Sequence, residues 1–153
     1  MESRAISLDL INQHGLEYAR YSLLLGGEVT TILDAIEKLT SAPKLLEESN
    51  LTQEGLFRLM NADHQKVKKT LEALGAIEVP YGYKTKHDQL IKLLSKVSFK
   101  LGLVNQNLYS TMLPGIMEAL VRDFSKMRHH GVSLFEKLDK KVRRELLQEG
   151  IEI

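Results

Sequence analysis

Leu90, Leu94, Val97, Leu101, Val104 and Leu108 follow one another at spacings of four, three, four, three and four. A heptad-like stripe of this length commits its segment to one long helix, here residues 89 to about 109, with Asp88 as its cap. The stripe wants a partner helix, either from a second copy of the chain or from elsewhere in the same chain. Leu93 and Leu103 lie off it, so the helix buries more than one side. The rest of the chain permits such helices. There are only three prolines in 153 residues, and 43% of the residues are hydrophobic, enough for a core and too many for wholesale disorder. The length fits a single domain over 1–153 and excludes a complete Rossmann enzyme carrying an additional domain. With no cysteine, disulfide scaffolds, thiolate zinc sites and cysteine nucleophiles are ruled out.

Other periodic segments extend the helical reading. Residues 4–25 predict a first helix that Gly26-Gly27 stops, with Gly15 a weak point in its middle. Val29, Ile32, Leu33, Ile36 and Leu39 mark a second. Pro43 opens a short helix carrying Leu45 and Leu46. Thr52 caps a helix running to Met60, with Leu56 and Leu59 on its apolar face. Asn61-Ala62-Asp63 reads as a turn, and Asp63 as the cap of a further helix with Val67, Leu71 and Leu74 inward and Gly75 at its end. Ile77 and Val79 alternate as a short strand, Pro80 to Tyr83 turn, and Lys84-Thr85-Lys86 is the returning strand. Near the C-terminus, Pro114 opens a helix that His129-His130-Gly131 closes. A capping box of Ser133 and Glu136 begins the last helix, which Gly150 ends. The domain thus divides into N-terminal helices (1–50), a central unit (51–87) and C-terminal helices (88–153).

The element order of residues 29–87 is helix, short helix, helix, turn, helix, ribbon. Residues 51–79 resemble the helix-turn-helix of bacterial and archaeal winged-helix transcriptional regulators, with Leu71, Leu74 and Gly75 at the L-x-x-L-G end of the recognition helix. The resemblance implies a mainly α fold: a winged helix-turn-helix with a small two-stranded β-ribbon, flanked by long N- and C-terminal helices. It further implies a dimeric regulator that places helix 63–74 in the major groove of double-stranded DNA. A weaker resemblance is to the N-terminal winged-helix dimerisation domain of SAM-dependent O-methyltransferases. Gly82-Tyr83-Lys84-Thr85 and the segment His130 to Phe135 carry it. No glycine-rich SAM loop follows a strand, so that kinship implies only a non-catalytic module. A helical protein-interaction adaptor is the third reading.

Charge supports a localised reader. The net charge is +1. Residues 1–50 hold 4 basic and 8 acidic side chains, residues 51–100 hold 9 and 5, and residues 101–153 hold 8 and 7. Bulk coating of nucleic acid is excluded, while the central third is basic. With Val67, Leu71 and Leu74 inward, His64, Gln65, Lys66, Lys68 and Lys69 are the expected DNA-binding residues of the helix. Tyr81, Tyr83, Lys84 and Lys86 are those of the wing.

Catalytic signals are absent. The five histidines lack metal-ligand spacing, His129-His130 read as a polar helix end, and no H-E-x-x-H, G-x-S-x-G or P-loop occurs. The expectation is a non-enzyme without cofactor or metal. The methionines and phenylalanines of 112–127 read as core, with a ligand pocket as the other use of such a stripe. The absence of a signal peptide, of membrane-spanning runs and of cysteine predicts a cytoplasmic protein away from membranes. The first helix and the stripe of helix 89–109 are the expected homodimer interface, and any small-molecule effector is unknown.

Overall fold

The computed structural model describes residues 8–40, 53–107 and 110–150. They form five helices: α1 (Leu8–His14), α2 (Glu17–Thr40), α3 (Gln53–Ala76), α4 (Lys84–Gln106) and α5 (Leu113–Gln148). The four long ones close a ring in the order α2, α3, α4, α5 and back to α2, and α1 packs on α2. Neighbours run antiparallel. The end of α3 meets the start of α4 at Leu74 and His87, the end of α4 meets the start of α5 at Lys100 and Asp123, and the end of α5 meets the start of α2 at Glu145 and Tyr18. This is an up-down-up-down four-helix bundle, the arrangement that short connections favour.

The stripe of α4 lines the interior of this bundle. Leu90, Leu94, Val97, Leu101 and Val104 are all buried against the other helices of the same chain. The partner it wanted is intramolecular. Leu108 lies outside the described residues, as do the expected short helix around Pro43 to Leu46 and the Thr52 cap; nor are the side chains of Ile36, Leu39, Leu56, Leu59 and Met60 among those described.

The winged helix is not formed. No strand occurs among the described residues. Ile77 and Val79 pack half-buried on the core, and Tyr83 N bonds Pro80 O at 3.1 Å across a turn whose third residue, Gly82, sits at φ 91. That φ is what a type II turn requires there. Lys84-Thr85-Lys86 form the first turn of α4, not a strand, so α4 begins four residues before Asp88. The reason is burial: continuing the helix back from Leu90 carries His87 and Tyr83 into the core, which a three-residue edge strand cannot do. The turn at 61–63 is missing too. Asp63, Val67, Thr70 and Leu74 are buried at spacings of four, three and four, so Asp63 is an inward position of one continuous helix, not a cap.

Two more expected breaks are absent. α2 runs through Gly26-Gly27, and α5 runs through His129-His130-Gly131 and past Ser133. In α5 the inward row Met117, Leu120, Phe124, Met127, Gly131, Leu134, Leu138, Val142 and Leu146 continues across the glycine without losing phase. The break that does occur is at Gly15, which takes φ 63. Leu16 N bonds Ile11 O at 3.0 Å, and both side chains are buried, which is the bonding and the apolar contact of a Schellman ending. The expected endings at Gly75 and Gly150 fall within two residues of the observed ends of α3 and α5, and Pro114 lies at the start of α5.

Candidate nucleic-acid interface

At the end of the bundle where α4 begins, aromatic and polar groups replace aliphatic core. His87 is buried and uses both ring nitrogens: Nε2 donates to Leu74 O at 2.8 Å, and Nδ1 accepts from Tyr21 OH at 2.7 Å. A carbonyl can only accept, so the ring hydrogen in this pairing sits on Nε2. The Tyr83 ring stands 5.8 Å from that of Tyr18, edge-on, and 6.1 Å from that of Tyr21. Burial, followed by the neighbouring Tyr83 and Asp88, holds the Tyr21 phenol far above its ordinary range. Burial, then Tyr18, raises Tyr83. Tyr21, Tyr83 and His87 are buried and Tyr21 is hydrogen-bonded to His87, so they clamp the start of α4.

The clamp decides the fate of the expected DNA-binding residues. Tyr83 is buried, its OH reaching Lys137 O at 3.5 Å, and it offers nothing to a ligand. Tyr81, at the tip of the turn, is 95% exposed. Gln65, Lys66, Lys68 and Lys69 are exposed on α3, but they sit along the side of a 24-residue helix with no free N-terminus to enter a groove. His64 is half-buried, its Cε1 facing Gly102 of α4. Desolvation, then Lys68, lowers its pKa. Lys84 pairs with Asp88 at 3.0 Å.

The positive charge resides elsewhere. Residues 51–83 carry four basic and four acidic side chains, so the whole surplus of the central third lies in residues 84–100. α4 holds five lysines and one aspartate; α5, its neighbour, holds eight basic and five acidic side chains. Lys92 and Lys96 are exposed on the outer face of α4. On α5, Arg122, Lys126, His129, Lys137, Lys141 and Arg144 recur at helical spacing on the exposed flank whose inner edge meets α4. Two contacts fix that flank: His130 Nε2 donates to Lys86 O at 2.9 Å, and Tyr83 OH reaches Lys137 O. At this seam Asp123 is taken by Lys100, while Asp88 is taken by Lys84 on the exposed face of α4. Glu118, Glu136 and Asp139 are exposed on the outer side of α5 together with Arg128, Lys140 and Arg143, Asp139 pairing Arg143 at 3.1 Å. Glu145 is withdrawn altogether, its oxygens accepting from Tyr18 N and Ala19 N at 3.1 and 3.0 Å.

The result is a cationic strip about 21 Å long on α4, from Lys86 to Lys100, and about 33 Å long on α5, from Arg122 to Arg144, at 1.5 Å per residue. At its start Lys86 lies beside Lys137 of α5. That contact, then desolvation and mutual repulsion, lowers the Lys86 pKa. Two cations held together without a carboxylate between them leave a positive potential that a counter-anion relieves. Of the nine expected residues, only Lys86 belongs to this strip. The lysines of α4 past residue 88 and the arginines and lysines of α5 are additions that their i, i+4 spacing could have signalled, had the two helices been known to be neighbours.

Among the described residues no group of three or more histidine or acidic side chains is placed to hold a metal ion, and no helix is long and apolar enough to cross a membrane. Met117, Phe124 and Met127 are core, and Met127 borders a small, partly open cleft of about 40 Å³. No protein-family profile matches the chain, and neither the curated proteins nor the solved structures return a match.

Proposed function

We propose that this four-helix bundle is a nucleic-acid-binding protein that grips the phosphate backbone along the seam of α4 and α5. The observation that carries the reading is the surplus of exposed cations along the seam: Lys92 and Lys96 of α4 and Arg122, Lys126, Lys137, Lys141 and Arg144 of α5 are exposed, and the Asp123 carboxylate is taken by Lys100. A row of lysines and arginines on one rigid surface suits a regular polyanion and binds it without reading bases. The interface differs from the one expected of a winged helix, because α3 is a lateral helix and its segment 63–74 carries three lysines against Asp63 and Glu72.

The test is a fluorescence-anisotropy titration with mixed-sequence DNA at two salt concentrations. Wild type binds, with log K falling linearly in log salt. Lys92→Ala/Lys96→Ala/Lys126→Ala weakens binding and lowers the salt slope by about three, about one per lost phosphate contact. Lys66→Ala/Lys68→Ala/Lys69→Ala changes both much less. Binding that is insensitive to the α4–α5 triple variant, or lost with the α3 variant, overturns the assignment of the face.

A further inference from the structure

The outer face of α4 is not only cationic. Phe99 stands opposite the buried stripe and is 67% exposed. One turn later, on the same side, Leu103 enters an open groove between the end of α4 and the start of α5. The groove has a volume of about 360 Å³, and Leu103, Met112, Gly115, Ile116 and Ala119 line it, with Lys100 at its rim. Met112, at its mouth, is 66% exposed. The groove thus continues the cationic strip: Lys92 and Lys96 precede Phe99 at seven and three residues along α4.

A duplex has no use for this combination. Its bases are stacked and paired inside, and it offers a protein surface phosphates and base edges only. A single strand offers the same repeating negative charge together with unstacked base faces, and proteins that hold single strands combine a positive track with aromatic platforms. We propose that the strip takes single-stranded nucleic acid, with phosphates on the lysines of α4 and α5, one base stacked on Phe99 and a neighbouring base in the Leu103–Met112 groove. This rests on the nucleic-acid reading above and narrows it. Charge complementarity sets the occupant: a neutral apolar ligand leaves Lys92 and Lys96 unanswered, and a duplex leaves Phe99 and the groove unanswered.

The experiment compares a labelled oligothymidylate with a duplex of equal length, at low and moderate salt, for wild type, Phe99→Ala, Phe99→Tyr and Lys92→Ala/Lys96→Ala. Phe99 is exposed, so its replacements keep the fold, which a thermal melt verifies. The single strand binds more tightly than the duplex. Phe99→Ala loses about tenfold in affinity for the single strand, the scale of one stacked base, while its duplex affinity holds. Phe99→Tyr restores the loss, and the lysine variant weakens both ligands. Equal affinity of wild type for the two ligands, or a Phe99→Ala protein that binds the single strand as wild type does, overturns the single-strand proposal and leaves backbone binding standing. Failure of wild type to bind either oligonucleotide at low salt overturns both, and capture on phosphatidylserine vesicles in that case assigns the strip to a membrane surface.

Discussion

Gly131 gives a substitution whose sign separates two structures. By its sequence context it closes a helix, and a glycine at such a C′ position takes positive φ, where alanine costs about 1–2 kcal/mol. In the bundle it is an interior residue of α5 without positive φ, buried in the row of Met127 and Leu134. It lines the small, partly open cleft of about 40 Å³ with Ile32, Leu90, Leu94 and Phe135, and a Cβ built on it meets no atom within 4 Å. Gly131→Ala therefore gains on two counts. Helix propensity contributes about 1 kcal/mol, and the buried methyl about 0.8 kcal/mol. The sum, about 1.5–2 kcal/mol, raises the melting temperature by about 4–8 °C for a chain of this size. Circular dichroism at 222 nm during thermal and urea unfolding measures it, with an unchanged urea m-value as the sign that the folded state is the same. A destabilisation of about 1 kcal/mol or more refutes both the continuous α5 and the cleft beneath it.

Four further outcomes follow from the same geometry. Gly27→Ala, whose Cβ meets nothing within 4 Å in the middle of α2, stabilises by about 0.5–1 kcal/mol, whereas Gly82→Ala, at φ 91, destabilises by about 1–2 kcal/mol in the same melts. Tyr21→Phe strands the buried His87 Nδ1 without its donor and costs about 1–3 kcal/mol in urea unfolding; His87→Phe in the same background costs less than it does in wild type, because the polar pair is then already broken. Glu145→Ala uncovers Tyr18 N and Ala19 N and costs about 0.5–2 kcal/mol, with amide exchange rising first at the start of α2. The pH effect of His64 runs in a definite direction. Its folded pKa lies below the ordinary 6.5, so the unfolded chain binds the proton first. Stability is therefore undiminished above pH 6.5 and falls as the pH drops through 6.5 toward the folded value, and His64→Gln flattens that part of the profile.

The legible and the illegible parts of this fold divide along a physical line. Leu90, Leu94, Val97, Leu101 and Val104 declared their buried face through local spacing, and all five are buried. Val67 and Leu74 did the same in α3. Helix ends were misread wherever a weak breaker lay inside a strong stripe. Asn61-Ala62-Asp63, Gly26-Gly27 and Gly131 each oppose a helix by about 1 kcal/mol per residue at most, while an uninterrupted inward row buries several side chains worth about 1.5–3 kcal/mol each. Leu16 shows the converse: a leucine has no capping oxygen, and the start of α2 is served by Glu145, 127 residues away from Tyr18.

The proposed binding face was the least legible part. The count of charges placed a basic surplus in residues 51–100, and that much belonged to the sequence alone. The inventory of helical stripes, the mainly helical fold and the missing catalytic motifs were likewise local properties of the chain. That the stripe of α4 is satisfied within the chain, that the lysines of α4 adjoin the basic flank of α5, and that Tyr83 is buried while Phe99 is exposed were decided only by tertiary structure. Periodicity fixes which way a residue points relative to its own helix axis. Only the packing of one helix on its neighbours decides whether that direction leads to core, to solvent or to another row of charge.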